Sequence, residues 1–167
     1  MKLLETILEK NNPKLEINHI FMDGENLVAT NTKILIVKKH NEKMEEGFNA
    51  LLINPKAKYP IKSEAIILDK TANKSMAGGY PQYKRIMPQT DKNYEFEKCD
   101  GLTLLQLVMA KYNLCLDLLG NSSFYKQLAK MNFEWYIFNS YNMPISIGNE
   151  EYTIVIMPMI FPQQKEF

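Results

Sequence analysis

The chain has 167 residues, of which 46% are hydrophobic and 23% charged, which is enough apolar material for one globular core and excludes a disordered chain. Twenty basic against nineteen acidic side chains give a net charge of +1, so no overall field indicates a nucleic-acid or membrane partner. The apolar runs are too short to cross a bilayer, the N-terminus does not resemble a signal peptide, and Cys99 and Cys115 are expected to be thiols, so we expect a cytoplasmic protein.

The first part of the chain predicts a helix followed by strands. Apolar residues at helical spacing predict a short amphipathic helix over 2–11. Two runs rich in Ile, Val and Leu follow at 15–22 and 27–38, and the Asp23-Gly24 pair between them predicts a β-hairpin.

The middle of the chain changes in character. A strand is predicted over about 47–53, but four prolines fall within 55–88, together with lysines and Gly78-Gly79. Only Ala65–Leu68 is strand-like in this stretch. We therefore interpret 55–100 as an insertion or connector within a single domain spanning 1–167.

Two helices and three strands are predicted for the last part. Leu102–Leu119 has the longest helical pattern, with Gly120 at the C-cap position, and Asn121-Ser122-Ser123 can cap a shorter helix through about Lys130. The predicted strands are Phe133–Phe138, Met143–Ile147 and Tyr152–Ile160, with turns at Asn139–Asn142 and Gly148-Asn149. The order indicates an α+β fold built from two similar helix-and-strands halves.

No pattern in the sequence indicates a reaction. The two histidines, His19 and His40, are far apart and have no neighbouring metal ligands. The segment Ser75–Gly79 lacks the lysine of a phosphate loop and the spacing of a nucleophile elbow. We therefore expect no catalytic residue, no metal site and no cofactor.

Three stretches, in order, resemble motifs of one protein family. Leu27-Val28-Ala29-Thr30 with Leu35 resembles a strand–turn–strand signature around "ATDG", although Asn31 and Thr32 replace its Asp and Gly. Gly79–Pro88 is similar to "FPDYRRVLP", and Met157-Pro158-Met159 matches "MPM" near the chain end. The family is the bacterial DNA sliding clamp, the β subunit of the replicative polymerase, and this chain resembles a single clamp-like domain.

The resemblance implies an apolar groove that receives short peptides of replication proteins. Methionines suit such a groove because they adapt to several apolar side chains, and proline holds a strand without supplying a ladder donor. The groove residues that the resemblance implies are Thr30, Leu35, Pro81, Arg85, Ile86, Val155, Ile156, Met157, Pro158 and Met159. The alternative for 154–157 is a central strand buried on both faces, and Tyr80 and Tyr83 can equally be packing residues that fix a connector.

The resemblance also implies duplex DNA as a partner, bound without sequence specificity inside a ring of helices. Lys126 and Lys130, at (i, i+4) on the shorter helix, are the candidate DNA-facing residues, and a solvated helix face is the alternative. A single-domain chain would need a homo-oligomer to close a ring. Other functional classes that stay open are a peptide-binding adaptor without a ring, and a small-molecule-binding domain or an enzyme with an unrecognised site.

Overall fold

The computed structural model describes residues 2–9, 19–40, 49–52, 65–67, 81–88, 99–101, 103, 106, 122–138 and 144–157. In the first half of the chain the elements are α1 (Lys2–Ile7), β1 (Ile20–Asp23), β2 (Asn26–Thr30), β3 (Ile34–Lys39), β4 (Asn49–Leu52) and β5 (Ala65–Ile67). In the second half they are a 3-10 turn (Tyr83–Arg85), β6 (Cys99–Asp100), α2 (Ser122–Leu128), β7 (Asn132–Phe133), β8 (Trp135–Phe138), β9 (Ile145–Gly148) and β10 (Tyr152–Ile156). No described helix is long and apolar enough to span a membrane.

Eight of the strands form one antiparallel sheet in the order β5-β4-β1-β2-β3-β10-β9-β8. β1-β2-β3 and β8-β9-β10 are both three-stranded meanders, and each is preceded in the chain by a short helix. The last strands of the two meanders, β3 and β10, pair antiparallel with Ile36 opposite Ile154. This pseudo-twofold arrangement confirms the predicted α+β fold of two similar halves.

The two helices lie on one face of the sheet and contact each other. Their apolar side chains, among them Leu4, Ile7, Phe124 and Leu128, pack against alternate residues of the strands to form what we call the helix-side core. A six-residue helix is marginal by itself, so this burial, rather than helix propensity, holds α1 in place.

The opposite face of the sheet carries a second, smaller apolar cluster, which we call the Tyr83 cluster. Its buried members are Phe21, Val28, Leu35, Val37, Tyr83 and Val155, with Met87 packed against them. Five of these residues come from β1, β2, β3 and β10, and two come from the 81–88 segment. The central strands are therefore buried on both faces, which confirms the alternative reading of 154–157 for the residues up to Ile156.

Several predicted boundaries differ from the structure. α1 ends at Ile7, not at residue 11, and Leu8 is buried although it lies beyond the helix. Within α1 the Thr6 hydroxyl donates to the Leu3 carbonyl at 2.5 Å. Gly148 lies inside β9 and not in a turn, since it pairs with both Trp135 and Thr153. Glu134 interrupts the predicted strand 133–138, and β10 ends at Ile156.

The predicted connector also contributes to the sheet. β5, within the strand-like run Ala65–Leu68, pairs with β4 at one edge of the sheet. The division into a domain and a connector otherwise stays a prediction. Gly101, Thr103 and Gln106 are helical, but most of the predicted helix 102–119, with Cys115, lies outside the described residues, as does the predicted turn 139–142.

Candidate functional site

Strands β2, β3 and β10 meet the 81–88 segment at the centre of the sheet. Leu35 of β3 pairs with Val155 of β10 on one side and with Thr30 of β2 on the other. Both Leu35 and Val155 belong to the Tyr83 cluster, so the 81–88 segment packs directly on them. The Met157 amide donates to the Lys33 carbonyl at 2.8 Å, which extends the pairing of these strands by one step.

A contact between Tyr83 and Asp23 attaches the 81–88 segment to the sheet. The Tyr83 ring is buried in the cluster, and its hydroxyl donates to Asp23 Oδ2 at 2.6 Å. Lys84 Nζ approaches the same oxygen to 2.9 Å and lies 5.8 Å from the Tyr83 ring centre. Burial raises the pKa of Asp23, but the Tyr83 hydrogen bond and the Lys84 ammonium outweigh it, so that the pKa lies below its ordinary value. Asp23 is therefore an ionised anchor at physiological pH.

The residues after Tyr83 form a tight turn with exposed side chains. The Arg85 amide donates to the Gln82 carbonyl and the Ile86 amide to the Tyr83 carbonyl, each at 3.0 Å. Pro81 and Arg85 are exposed, and Ile86 is 46% exposed.

An exposed Ile is unusual next to a buried ring. The only other large hydrophobic side chain exposed within the described ranges is Met157, at 38%. Scattered single apolar residues are normal on a surface. Here, however, Ile86 and Met157 each continue a segment that packs into the Tyr83 cluster, and Met87 lies half-buried beside it. We call Ile86, Met87 and Met157, which follow buried members of the cluster in the chain, its margin.

Two residues of the predicted set have other roles. Ile156 points to the opposite face, where it is 1% exposed in the helix-side core, because neighbouring residues of a strand alternate between faces. The Thr30 hydroxyl donates to the Ile34 carbonyl at 3.0 Å and accepts from the Thr32 amide at 3.2 Å. Thr30 therefore holds the β2–β3 turn. Pro158 and Met159 lie outside the described residues.

The β2–β3 turn divides the predicted strand 27–38 into two. Asn31 Oδ1 accepts from the amides of Lys33 and Ile34, at 3.1 and 2.8 Å, as the family's Asp can. Thr32, in the position of the family's Gly, has φ +71°, a left-handed conformation that a β-branched residue rarely adopts. The chain thus forms the turn that the motif implies, although threonine is poorly suited to the positive φ at this position.

Exposed lysines lie on both helices and in the turn that follows α2. Lys126 and Lys130 are exposed, and Lys2 at the start of α1 lines the same cleft as Lys130. Glu9, just beyond α1, is also exposed. The helix ends at Leu128 and not at about Lys130 as predicted, so Lys130 lies in the turn two residues beyond it. Both lysines are exposed, and what they bind stays a prediction.

An acidic cleft lies at the end of the sheet that includes the β9–β10 turn. It is lined by Asp100, Glu134, Glu150 and Glu151 among others. Asp100 caps the helical residues that follow, accepting from the Thr103 amide at 2.9 Å, and Glu151 pairs with Lys38 at 2.9 Å. Among the described residues, no three His, Cys, Asp or Glu side chains are placed so that they could hold a metal ion, and His19 is fully buried.

Several solved structures of bacterial clamps resemble this one. The β clamp of Helicobacter pylori bound to a DNA ligase peptide matches with a TM-score of 0.56 and 16% identity, over 96% of this chain and 62% of that one. The β subunit of Borrelia burgdorferi DNA polymerase III matches with a TM-score of 0.55 and 16% identity, over 96% and 61%. The Thermotoga maritima β subunit matches with a TM-score of 0.56 and 13% identity, over 96% and 63%.

The chain has the fold of a bacterial sliding clamp. Neither protein-family models nor curated proteins give a match. The chain spans about three fifths of the length of the clamp structures it matches. The clamp fold agrees with the fold that the resemblance implied.

Two residues that join the 81–88 segment to the sheet were not predicted to have that role. Asp23 was predicted only as part of the hairpin turn, and Met87 carried no separate prediction. The contact between Asp23 and Tyr83 joins residues 60 positions apart, so no local pattern could reveal it. The alternation of faces in β10, by contrast, could have separated Ile156 from Val155.

Proposed function

We propose that this chain is a non-catalytic, clamp-like protein that binds short apolar peptide motifs of replication proteins. The observation that most supports this proposal is that β3, β10 and the 81–88 segment meet in the Tyr83 cluster. The ligand contacts are assigned to the exposed margin of that cluster, above all to Ile86 and Met157, with Pro81 and Arg85 beside them. Leu35 and Val155 form the floor, and Pro158 and Met159 continue the segment beyond Met157.

The fold supports this proposal because a clamp of the same fold binds a DNA ligase peptide. An apolar site on the face of a sheet suits peptides that insert a few aliphatic or aromatic anchors. Methionine is a suitable rim residue because its flexible thioether adapts to different anchors.

Binding of a fluorescent DNA ligase peptide, followed by anisotropy, tests the site. Ile86→Ala and Met157→Ala each remove an exposed side chain, so the fold is expected to survive. Losing such an anchor contact costs about 1–2 kcal/mol, a roughly five- to thirtyfold weaker affinity. Met131→Ala, on the helix side, is the matched control and should leave binding unchanged. Equal affinity of all three variants and the parent would show that the site is wrongly assigned.

We further propose that the helix face meets duplex DNA in an oligomeric ring. The supporting observation is an exposed set of three lysines: Lys2 on α1, Lys126 on α2 and Lys130 in the turn after α2. Each neutralised phosphate contributes about −0.9 to the slope of log K against log salt. Lys126→Gln with Lys130→Gln should therefore reduce the magnitude of the slope by about 1.8.

The assembly has its own test. β5 and β8 are the two edge strands of the main sheet and could continue it between copies of the chain. A multimer by light scattering, together with salt-dependent duplex binding, supports the ring. A monomer that binds the peptide but no duplex at low salt would instead identify a peptide-binding adaptor.

A further inference from the structure

Tyr83 fixes the 81–88 segment to a rigid part of the sheet. Its ring is buried in the Tyr83 cluster, and its hydroxyl donates to Asp23 Oδ2 at 2.6 Å. Asp23 is the last residue of β1, where it pairs with Asn26 of β2 on one side and with Asn49 of β4 on the other. The acceptor of the hydrogen bond is therefore held by strands on both of its sides.

The same tyrosine sets the position of the exposed turn that follows it. The Tyr83 carbonyl accepts from the Ile86 amide, and the Gln82 carbonyl accepts from the Arg85 amide, each at 3.0 Å. A single 3-10 turn of three residues is not stable by itself. The place of the Ile86 side chain, which is 46% exposed, is therefore set by the attachment of Tyr83 to the sheet.

Met157, the other exposed apolar side chain of the margin, is placed by the sheet itself. Its amide donates to the Lys33 carbonyl at 2.8 Å, which continues the pairing of β3 with β10. One part of the margin thus depends on the strands and the other on Tyr83. A peptide that contacts both parts needs the 81–88 segment docked, and its apparent affinity falls with the fraction of molecules in which the segment is displaced.

We propose that Tyr83 and Asp23 are positioning residues of the peptide site, whose hydrogen bond holds the 81–88 segment where Ile86 and Met157 contact the same peptide. This inference rests on the proposed peptide site. Tyr83 is only 6% exposed, so it acts through the segment and not by touching the peptide. Because coupling between two equilibria is reciprocal, a bound peptide stabilises the docked segment as much as docking strengthens peptide binding.

The affinity for the fluorescent DNA ligase peptide, measured by anisotropy, tests the two residues. Tyr83→Phe keeps the ring and removes the donor, and Asp23→Asn keeps the shape and removes the charge that strengthens the bond. Each should weaken binding about three- to tenfold. Tyr125→Phe is the matched control, because it also removes a buried hydroxyl, but one on the helix side that has no hydrogen-bond partner among the described residues, and it should bind as the parent does.

Two further measurements distinguish positioning from a general loss of stability. Tyr83→Phe should lose most of its effect on affinity when Ile86→Ala is already present, but should keep it in Met157→Ala, since Met157 is not part of the segment. In the protein without peptide, Tyr83→Phe should speed hydrogen exchange of the Arg85 and Ile86 amides and leave that of the Met157 amide unchanged. Saturating peptide should slow the exchange of Arg85 and Ile86 again.

The outcomes separate this inference from the proposed function. If Ile86→Ala weakens binding while Tyr83→Phe and Asp23→Asn bind as tightly as the parent, the positioning role is wrong and the peptide site stands. If Ile86→Ala and Met157→Ala both bind like the parent, the peptide site is wrong and the inference with it. Equal effects of Tyr83→Phe in the two alanine backgrounds, or unchanged exchange at Arg85 and Ile86, would also overturn the inference.

Discussion

Removal of the Tyr83 hydroxyl should loosen the 81–88 segment without disturbing the sheet beneath it. Tyr83→Phe keeps the buried ring but loses the 2.6 Å hydrogen bond to Asp23. A hydrogen bond to a charged group contributes about 1.5–3 kcal/mol, and we expect a loss near the lower end because the Asp23 side chain is 21% exposed. Lys84→Ala should cost less than about 1 kcal/mol, since the Lys84 side chain is 72% exposed.

The effect of Tyr83→Phe should depend on pH in a defined direction. The folded state lowers the pKa of Asp23, so the interaction stabilises the protein above the ordinary carboxyl pKa and its contribution is lost as the pH falls through the folded value. Urea unfolding at pH 7 and again near pH 3 measures this. The cost of Tyr83→Phe should be largest at pH 7 and should diminish in acid. A cost below about 0.5 kcal/mol at pH 7, or one that does not change with pH, would refute the assigned role of the contact.

Three further stability changes follow from single residues. Thr32→Gly should stabilise the chain by about 0.5–1 kcal/mol in urea unfolding, because glycine adopts the positive φ of the β2–β3 turn without strain, and a loss of stability would contradict this. Gly101→Ala should destabilise the chain by about 3 kcal/mol, since its Cβ would lie 1.8 Å from the Leu128 carbonyl oxygen. Gly24→Ala meets no atom within 4 Å and should cost about 1 kcal/mol, for its φ of +56° alone. Equal costs of the two substitutions would contradict the clash at Gly101. The free energy of unfolding of Tyr125→Phe should equal that of the parent or exceed it by about 1 kcal/mol, because the buried Tyr125 hydroxyl has no hydrogen-bond partner in the described part of the chain. Burial also raises the pKa of Tyr125, so above about pH 10 the parent should lose stability more steeply than the variant. Identical stability profiles in alkali would contradict this.

The elements with strong local signals were predicted from the sequence. Asp23-Gly24 predicted the β1–β2 hairpin, and Gly24 indeed adopts a positive φ. Phe124 and Leu128 gave α2 its apolar face, and both are buried in the helix-side core. The pattern of helix and strands repeated in two halves was enough to indicate the α+β fold, in which both helices share one core on the same face of the sheet.

The features that the sequence did not reveal depend on contacts between distant residues. Periodicity alone predicted one strand over 27–38, and only the resemblance to the strand–turn–strand signature indicated the turn at Asn31 and Thr32. The attachment of Tyr83 to Asp23 and the sheet position of β5 are set by tertiary packing, for which the local residues carry no signal. For the candidate site, the motifs identified segments that do meet, but they could not distinguish the exposed Met157 from the buried Ile156.

Methyl resonances of the methionines test the central claim most directly, because methionines lie on both faces of the sheet. Met157 and Met87 belong to the margin of the Tyr83 cluster, whereas Met22 and Met131 belong to the helix side. On addition of the DNA ligase peptide to methyl-labelled protein, the resonances of Met157 and Met87 should shift in a saturable way while those of Met22 and Met131 stay in place. Shifts confined to Met22 and Met131, or none at saturating peptide, would contradict a peptide site on this face of the clamp fold.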